Sequence, residues 1–152
     1  MGCIFSADIG TTSLKAGIIT AAGDLLAYSA QSIEPEDTSF IANEWLAALK
    51  NAADEMYNYL TDVEAVCISG NGPTLAAENG RTLLWNTPLP KKYSAIQAHS
   101  LFIPRIKAFM ELYADDWNKT EVLFSGQEFL IFKLTGERVT VLPEERFIEA
   151  YW

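Results

Sequence analysis

The sequence is poor in cysteine and histidine: two cysteines, Cys3 and Cys67, and one histidine, His99, occur in 152 residues. There is no CxxC pair and no Cys/His cluster, so nothing points to a zinc site or a disulfide framework. Each cysteine lies in an apolar run, GCIFSA or VEAVCIS, and reads as a small buried strand residue. No serine or cysteine forms an identifiable triad with His99, which therefore reads as a packed or solvated side chain. Cations are also scarce. Eleven Lys and Arg stand against 20 Asp and Glu, and the formal charge of -9 argues against a nucleic-acid partner. No run approaches the roughly 18 apolar residues of a membrane helix. The N-terminus shows no charged and then hydrophobic leader, so a cytoplasmic protein without a membrane partner is expected. The Walker pattern GxxxxGK(S/T) and the dinucleotide pattern GxGxxG are both missing.

What is present is ordinary globular material. Hydrophobic residues make up 49% and charged residues 20%, enough for a real core. The length suits one domain at roughly 100 to 200 residues each. Ile4 to Ile9, Leu14 to Thr20 and Leu25 to Ser32 are apolar runs separated by Gly10-Thr11-Thr12-Ser13 and Ala21-Ala22-Gly23-Asp24, which predicts an antiparallel meander. Ile41, Trp45, Leu49, Ala52, Ala53, Met56 and Leu60 recur at spacings of three and four and predict a helix of about five turns. Val63 to Ser69 reads as a strand, and Asn79-Gly80 predicts a hairpin between Thr74 to Ala77 and Thr82 to Trp85.

Asn86 to His99 carries Pro88 and Pro90 and is expected to hold little regular structure. A helix should begin near Ser100, with Pro104 in its first turn and Leu101, Ile106, Phe109, Met110 and Tyr113 on one face. Val122 to Phe124 is a short strand candidate. Ser125 with Glu128 forms a capping-box signature for a last helix, which Gly136 ends. Asp115-Asp116 reads as a helix cap or solvated turn rather than a metal pair. Trp45, Trp85, Trp117 and Trp152 lack basic neighbours at regular spacing and read as packing residues. Strands that precede and alternate with helices define an α/β class with a mixed sheet.

The chemically distinctive stretch is Asp8-Ile9-Gly10-Thr11-Thr12-Ser13. A carboxylate inside an apolar strand is costly unless it faces a solvated cleft, where it can orient waters on a bound Mg²⁺. Gly10 admits a ligand close to the backbone, Thr11 and Thr12 offer amides and hydroxyls to phosphate oxygens, and Lys15 adds positive charge. The same residues are also compatible with an Asx-type turn in a plain hairpin. Ser69-Gly70-Asn71-Gly72-Pro73-Thr74 has two readings as well. Asn71 and Thr74 can bond to polyol hydroxyls while Gly72 permits close approach, or the segment is a turn whose residues act only on conformation.

DIGTTSLKAGIITAAGDLLA resembles the first phosphate motif of the FGGY carbohydrate kinases, within the sugar kinase, actin and chaperone ATPase superfamily. The helix containing NEWLAAL, the segment VEAVCISGNGPTLAAENGRTLLWN and the stretch FSGQEFLIFKLTGERVT resemble further family segments in the same order, over nearly the whole chain. The resemblance implies a ribonuclease-H-like fold with a mixed five-stranded sheet flanked by helices, forming the N-terminal lobe of a two-lobed kinase. It implies ATP and Mg²⁺ as cofactors, with Asp8 contacting Mg²⁺ through water and Gly10, Thr11, Thr12 and Lys15 around the β- and γ-phosphates. Asn71, Gly72 and Thr74 would meet a sugar or polyol.

The sequence also departs from the family pattern. The acceptor loop has neither the Gln-Met-His of xylulose-kinase-like relatives nor the Arg-Glu of glycerol kinases, which leaves the sugar open. Asn86-Thr87-Pro88-Leu89-Pro90 follows Trp85 where relatives carry Asp and Arg, and Val141-Leu142-Pro143-Glu144-Glu145 replaces a small-residue cluster. The family's general-base Asp is expected beyond Trp152, together with the adenine-binding C-terminal lobe. Phe147, Ile148, Tyr151 and Trp152 end the chain on an apolar segment that asks for a partner. The expectation is an N-terminal fragment, natural or engineered, without kinase activity alone. The alternative is a non-catalytic module acting through partner binding or as a homodimer through exposed apolar surface. An ATPase with a chaperone or actin-like role is disfavoured by the sugar loop and the Leu-Thr-Gly segment.

Overall fold

The computed structural model describes residues 2–94 and 100–140. Strands β1 (Cys3–Ile9), β2 (Ser13–Thr20) and β3 (Leu25–Ser32) form the expected antiparallel meander. Alternation decides its inner face: Cys3, Phe5, Ala7 and Ile9 are buried, as are Leu14, Ala16 and Ile18 opposite them. Helix α1 (Ile41–Glu55) lays Ile41, Trp45, Ala48, Leu49 and Ala52 on that face. It then returns the chain so that β4 (Val63–Gly70) pairs parallel to β1. The sheet order β3-β2-β1-β4 is thus mixed, as predicted.

A smaller antiparallel sheet, ordered β6-β5-β7, is built from β5 (Leu75–Ala77), β6 (Thr82–Leu83) and β7 (Leu123–Phe124). Between its strands run α2 (Lys91–Ser94), α3 (Ile103–Leu112) and α4 (Ala114–Trp117). Phe102, Ala108 and Phe109 pack against Leu75, Ala77 and Leu83 as a second core. Helix α5 (Gly126–Thr135) follows β7 and lies against α1 and β4, with Phe129 and Leu130 joining the first core. Its N-terminus carries the predicted capping box, and Gly136 ends it in the left-handed region at φ 77°.

Several expectations are corrected. Helix α1 stops at Glu55 rather than Leu60, and Tyr57–Asp62 forms a 3-10 segment. Met56 is the last buried anchor; Tyr57 is 67% exposed, so no apolar contact extends the helix further. Leu101 and Met110 are exposed, and Arg105 and Ala108 take the buried stripe of α3, because that helix begins at Ile103 and faces the small sheet along Phe102, Arg105 and Phe109. One helical turn, α2, occupies part of the stretch expected to be irregular.

Cys3 is buried but Cys67 is exposed, since β4 lies at the sheet edge and no element among the described residues covers the side of the sheet that Cys67 shares with Ser6. This sheet shows four strands among the described residues, not five. Trp45 is fully buried, Trp117 packs on the second core, and Trp85 is half exposed. Asp115 and Asp116 lie in the first turn of α4, with Tyr113 in the cap position, and Asp116 is ion-paired to Arg81 at 2.7 Å. His99, the Val141 to Glu145 departure and the terminal aromatic residues lie outside the described residues.

Candidate active site

The β1–β2 connection is closed by the Gly10 amide donating to the Ser13 carbonyl at 2.8 Å. A Cβ at Gly10 would sit 2.7 Å from that same carbonyl oxygen, so only glycine fits the turn. The Ile33 amide donates to the Thr12 carbonyl at 2.9 Å, and the Trp45 indole Nε1–H donates to the Gly10 carbonyl at 2.9 Å. Both carbonyls are therefore held from behind, while Thr12 remains exposed and Thr11 half-exposed. Asp8 and Lys15 are exposed partners across the ladder, and neither enters an ion pair among the described residues. The turn thus presents one free carboxylate, one free ammonium and a pair of hydroxyls together.

Asp8 also pairs in register with Ser69 on β4, which brings the phosphate-like turn beside the second loop. Gly70 is the junction. Its φ is 105°, and a Cβ there would lie 2.4 Å from the Ile9 carbonyl oxygen and 2.7 Å from Asp8 Oδ1. Asn71 follows at φ 65° and Gly72 at φ 44°, a run of three left-handed residues that curls the chain away from the strand. Thr74 is fully buried. Its hydroxyl donates to Asn71 Oδ1 at 2.7 Å and accepts the Trp85 amide at 2.9 Å, so Thr74 sets the orientation of Asn71.

Gly70 and Gly72 line one wall of a cavity of about 270 Å³. Its other walls are apolar, with Leu75, Phe102, Ile106 and Leu123, and polar, with Ser125, Gln127, Glu128 and Thr140. Of the residues lining the cavity, Gln127 carries a buried side-chain oxygen, Oε1, without a partner; Asn71 Nδ2, on the loop between Gly70 and Gly72, is likewise unpaired. The Ser125 side chain and the Glu128 amide form one arm of the capping box, and the return bond from the Ser125 amide to Glu128 Oε2 is made at 2.8 Å. Buried polar groups are normally paired, so the unpaired Gln127 Oε1 beside this cavity could accept from a hydroxyl placed there.

The sequence reading did not include Ser125 and Gln127 in the site. The capping-box signature accounted for Ser125, and Gln127 is an unremarked second helical residue. The available signal was two polar side chains at a helix start directly after a strand.

The carboxylate of this turn that could face a cation is Asp8, and among the described residues no cluster of three or more His, Cys, Asp or Glu side chains assembles. A single exposed carboxylate fits Mg²⁺ held through its own waters.

A three-stranded antiparallel meander with a fourth strand parallel to the first, one face covered by α1 and α5, gives the chain a ribonuclease-H-like fold. Among solved structures, the chain superimposes on a xylulose kinase from Brucella ovis with a TM-score of 0.72 at 16% identity, over 89% of this chain and 34% of that one. It matches a xylulose kinase from Rhodospirillum rubrum with a TM-score of 0.69 at 13% identity, over 90% and 35%. It matches the ADP-bound glycerol kinase of Plasmodium falciparum with a TM-score of 0.68 at 16% identity, over 90% and 35%. The chain therefore spans about a third of the length of these FGGY-family kinases, and the likeness is one of fold. No protein-family model matches the sequence, and no curated protein does.

Proposed function

We propose that this chain carries the phosphate turn and one acceptor loop of an ATP-dependent carbohydrate kinase, which moves the γ-phosphoryl group to a sugar or polyol hydroxyl. The observation that supports this reading is the cavity walled by Gly70, Gly72, Ser125, Gln127 and Glu128, where Gln127 Oε1 has no partner, adjoining the Asp8 and Gly10 turn through Gly70. A polyol supplies alternating donors and acceptors to such a set and rests its carbon chain on Phe102 and Leu123.

Asp8 would hold Mg²⁺ through water, and the bound ion would neutralise phosphate charge. Thr11, Thr12 and Lys15 position the β- and γ-phosphates, with Gly10 giving them close approach; such positioning and charge stabilisation dominate phosphoryl transfer. Asn71 and Gly72 meet the acceptor, and Thr74 acts from behind by fixing Asn71. The general base and the adenine contacts are assigned to a further lobe, so the 152-residue chain is expected to bind ligands weakly and turn nothing over alone. A cytoplasmic setting suits this chemistry.

The test is calorimetric titration of the purified chain with MgATP, then with glycerol and D-xylulose. Weak heat with MgATP that disappears in Asp8→Asn supports the phosphate reading; no heat in the wild type overturns it. Normal sugar phosphorylation by the chain alone would overturn the assignment of the base to another lobe. The second reading, a non-catalytic module that self-associates, draws support from Leu25, Tyr28 and Val66, which are 60%, 57% and 53% exposed on the two edge strands. A stable dimer in sedimentation equilibrium, together with silence toward MgATP, would favour it.

A further inference from the structure

We infer that Trp45 and Gly126 are positioning residues that seat the phosphate turn and the acceptor loop on one shared support, an inference that rests on reading those loops as above. Trp45, near the start of α1, is fully buried, and its one polar side-chain atom donates to the Gly10 carbonyl at 2.9 Å. The peptide unit is planar, and there are no cis peptide bonds among the described residues. In a trans unit the carbonyl and the following amide point in opposite directions. Drawing the Gly10 carbonyl inward to the indole therefore turns the Thr11 N–H outward. The indole thus acts through the backbone: it aims the amide that the turn offers to an anion, without touching the anion itself.

Gly126, the first residue of α5, extends this support to the second loop. A Cβ built at Gly126 would lie 2.9 Å from Ile9 Cδ1, 3.2 Å from Trp45 Cζ3 and 3.5 Å from Asn71 Cβ. The helix start is therefore wedged among the strand that enters the phosphate turn, the indole that holds it, and the residue at the tip of the acceptor loop. Interiors this close-packed pass on a displacement of a few tenths of an ångström instead of absorbing it. A methyl group at Gly126 should press on both loops at once.

The experiment is amide and indole NMR on the full 152-residue chain. In the wild type, the Trp45 indole N–H should exchange at least about a hundred-fold more slowly than that of half-exposed Trp85. Equal exchange would overturn the hydrogen bond and needs no variant. Trp45→Phe keeps an aromatic ring and removes the donor, and it should speed exchange of the Gly10 amide about ten-fold beyond the general loss of protection. Gly126→Ala should move the signals of Ile9 to Thr12 and of Gly70 to Gly72 together. Shifts confined to α5, or scaled evenly over the whole protein, would reduce both residues to ordinary core packing. MgATP is the separate arm. If it leaves the wild-type Gly10 to Thr12 signals in place, the phosphate reading fails, while the shared support is judged on the exchange and variant spectra.

Discussion

The fully buried Thr74 donates its hydroxyl to Asn71 Oδ1 at 2.7 Å while accepting the Trp85 amide at 2.9 Å. One side chain thereby joins the acceptor loop to the end of the small hairpin. Thr74→Val preserves shape and removes both bonds, leaving the Trp85 amide and Asn71 without them. The expected cost is about 1–3 kcal/mol. At roughly 2–4 °C per kcal/mol for a chain of this size, calorimetry should record a clear fall in Tm. Thr74→Ser retains the hydroxyl and should recover most of it.

Gly70 and Gly23 have similar backbones, at φ 105° and 94°, yet differ in surroundings. A Cβ at Gly70 meets the Ile9 carbonyl oxygen at 2.4 Å and Asp8 Oδ1 at 2.7 Å, whereas one at Gly23 meets nothing within 4 Å. Gly23→Ala should therefore cost only the conformational penalty, about 1–2 kcal/mol. Gly70→Ala adds a steric clash with backbone and should cost several times as much or prevent folding, as read by urea denaturation of the two variants side by side. Equal costs would mean that the β1–β4 junction relaxes freely.

The meander, the crossover helix and α5 were legible because each carries a local code. Apolar runs marked β1 and β2, Gly10 and Gly23 marked the turns, and Ser125 with Glu128 marked a helix start. The end of α1 was not legible: Leu60 continues the three-four spacing, but only tertiary packing reveals that Met56 is the last anchored position. Cys67 misled for a related reason, since an apolar run reads as buried whether or not another element covers it. For the candidate site, Asp8, Gly10 and Asn71 stood out by residue type in unusual places. Ser125 and Gln127 did not: Ser125 already had a capping explanation, and an unpaired amide oxygen such as that of Gln127 is a fact of three-dimensional burial.

Arg81 ties the small hairpin to α4. Its Nε meets Asp116 Oδ2 at 2.7 Å, its Nη1 donates to Ser39 Oγ at 2.8 Å, and its guanidinium lies 3.9 Å over the Phe40 ring. Burial pushes the Asp116 carboxyl up, but hydrogen bonds from Asn79 and Arg81 more than offset this and hold it below the usual carboxylate value. A depressed native pKa means that the stabilisation is present above the unfolded value near pH 3.9 and is lost as pH falls through the lower native one. Melting temperature should accordingly decline below about pH 4, and Asp116→Asn should make that acid decline shallower. The partly exposed pair is worth about 1 kcal/mol at neutral pH after screening, so the neutral Tm of the variant should drop only slightly. A variant with an unaltered acid profile would show that other carboxylates, such as Glu78 held low by the Glu121 amide, carry the acid transition.

Gln127 offers a prediction in which stability and binding move in opposite directions. Its Oε1 is buried beside the cavity with no partner, a state that costs a folded protein about 1–3 kcal/mol. Gln127→Leu removes the orphan acceptor at similar volume and should leave stability unchanged or raise it by about 1 kcal/mol, roughly 2–4 °C in Tm. If the cavity takes a polyol, the same substitution removes one of its acceptors and should weaken binding of glycerol or D-xylulose, measured by titration of variant and wild type under one condition. On the polyol reading, Gln127 trades stability for binding. Lower stability in Gln127→Leu would contradict this, since it would mean that the amide already makes a contact the folded chain depends on.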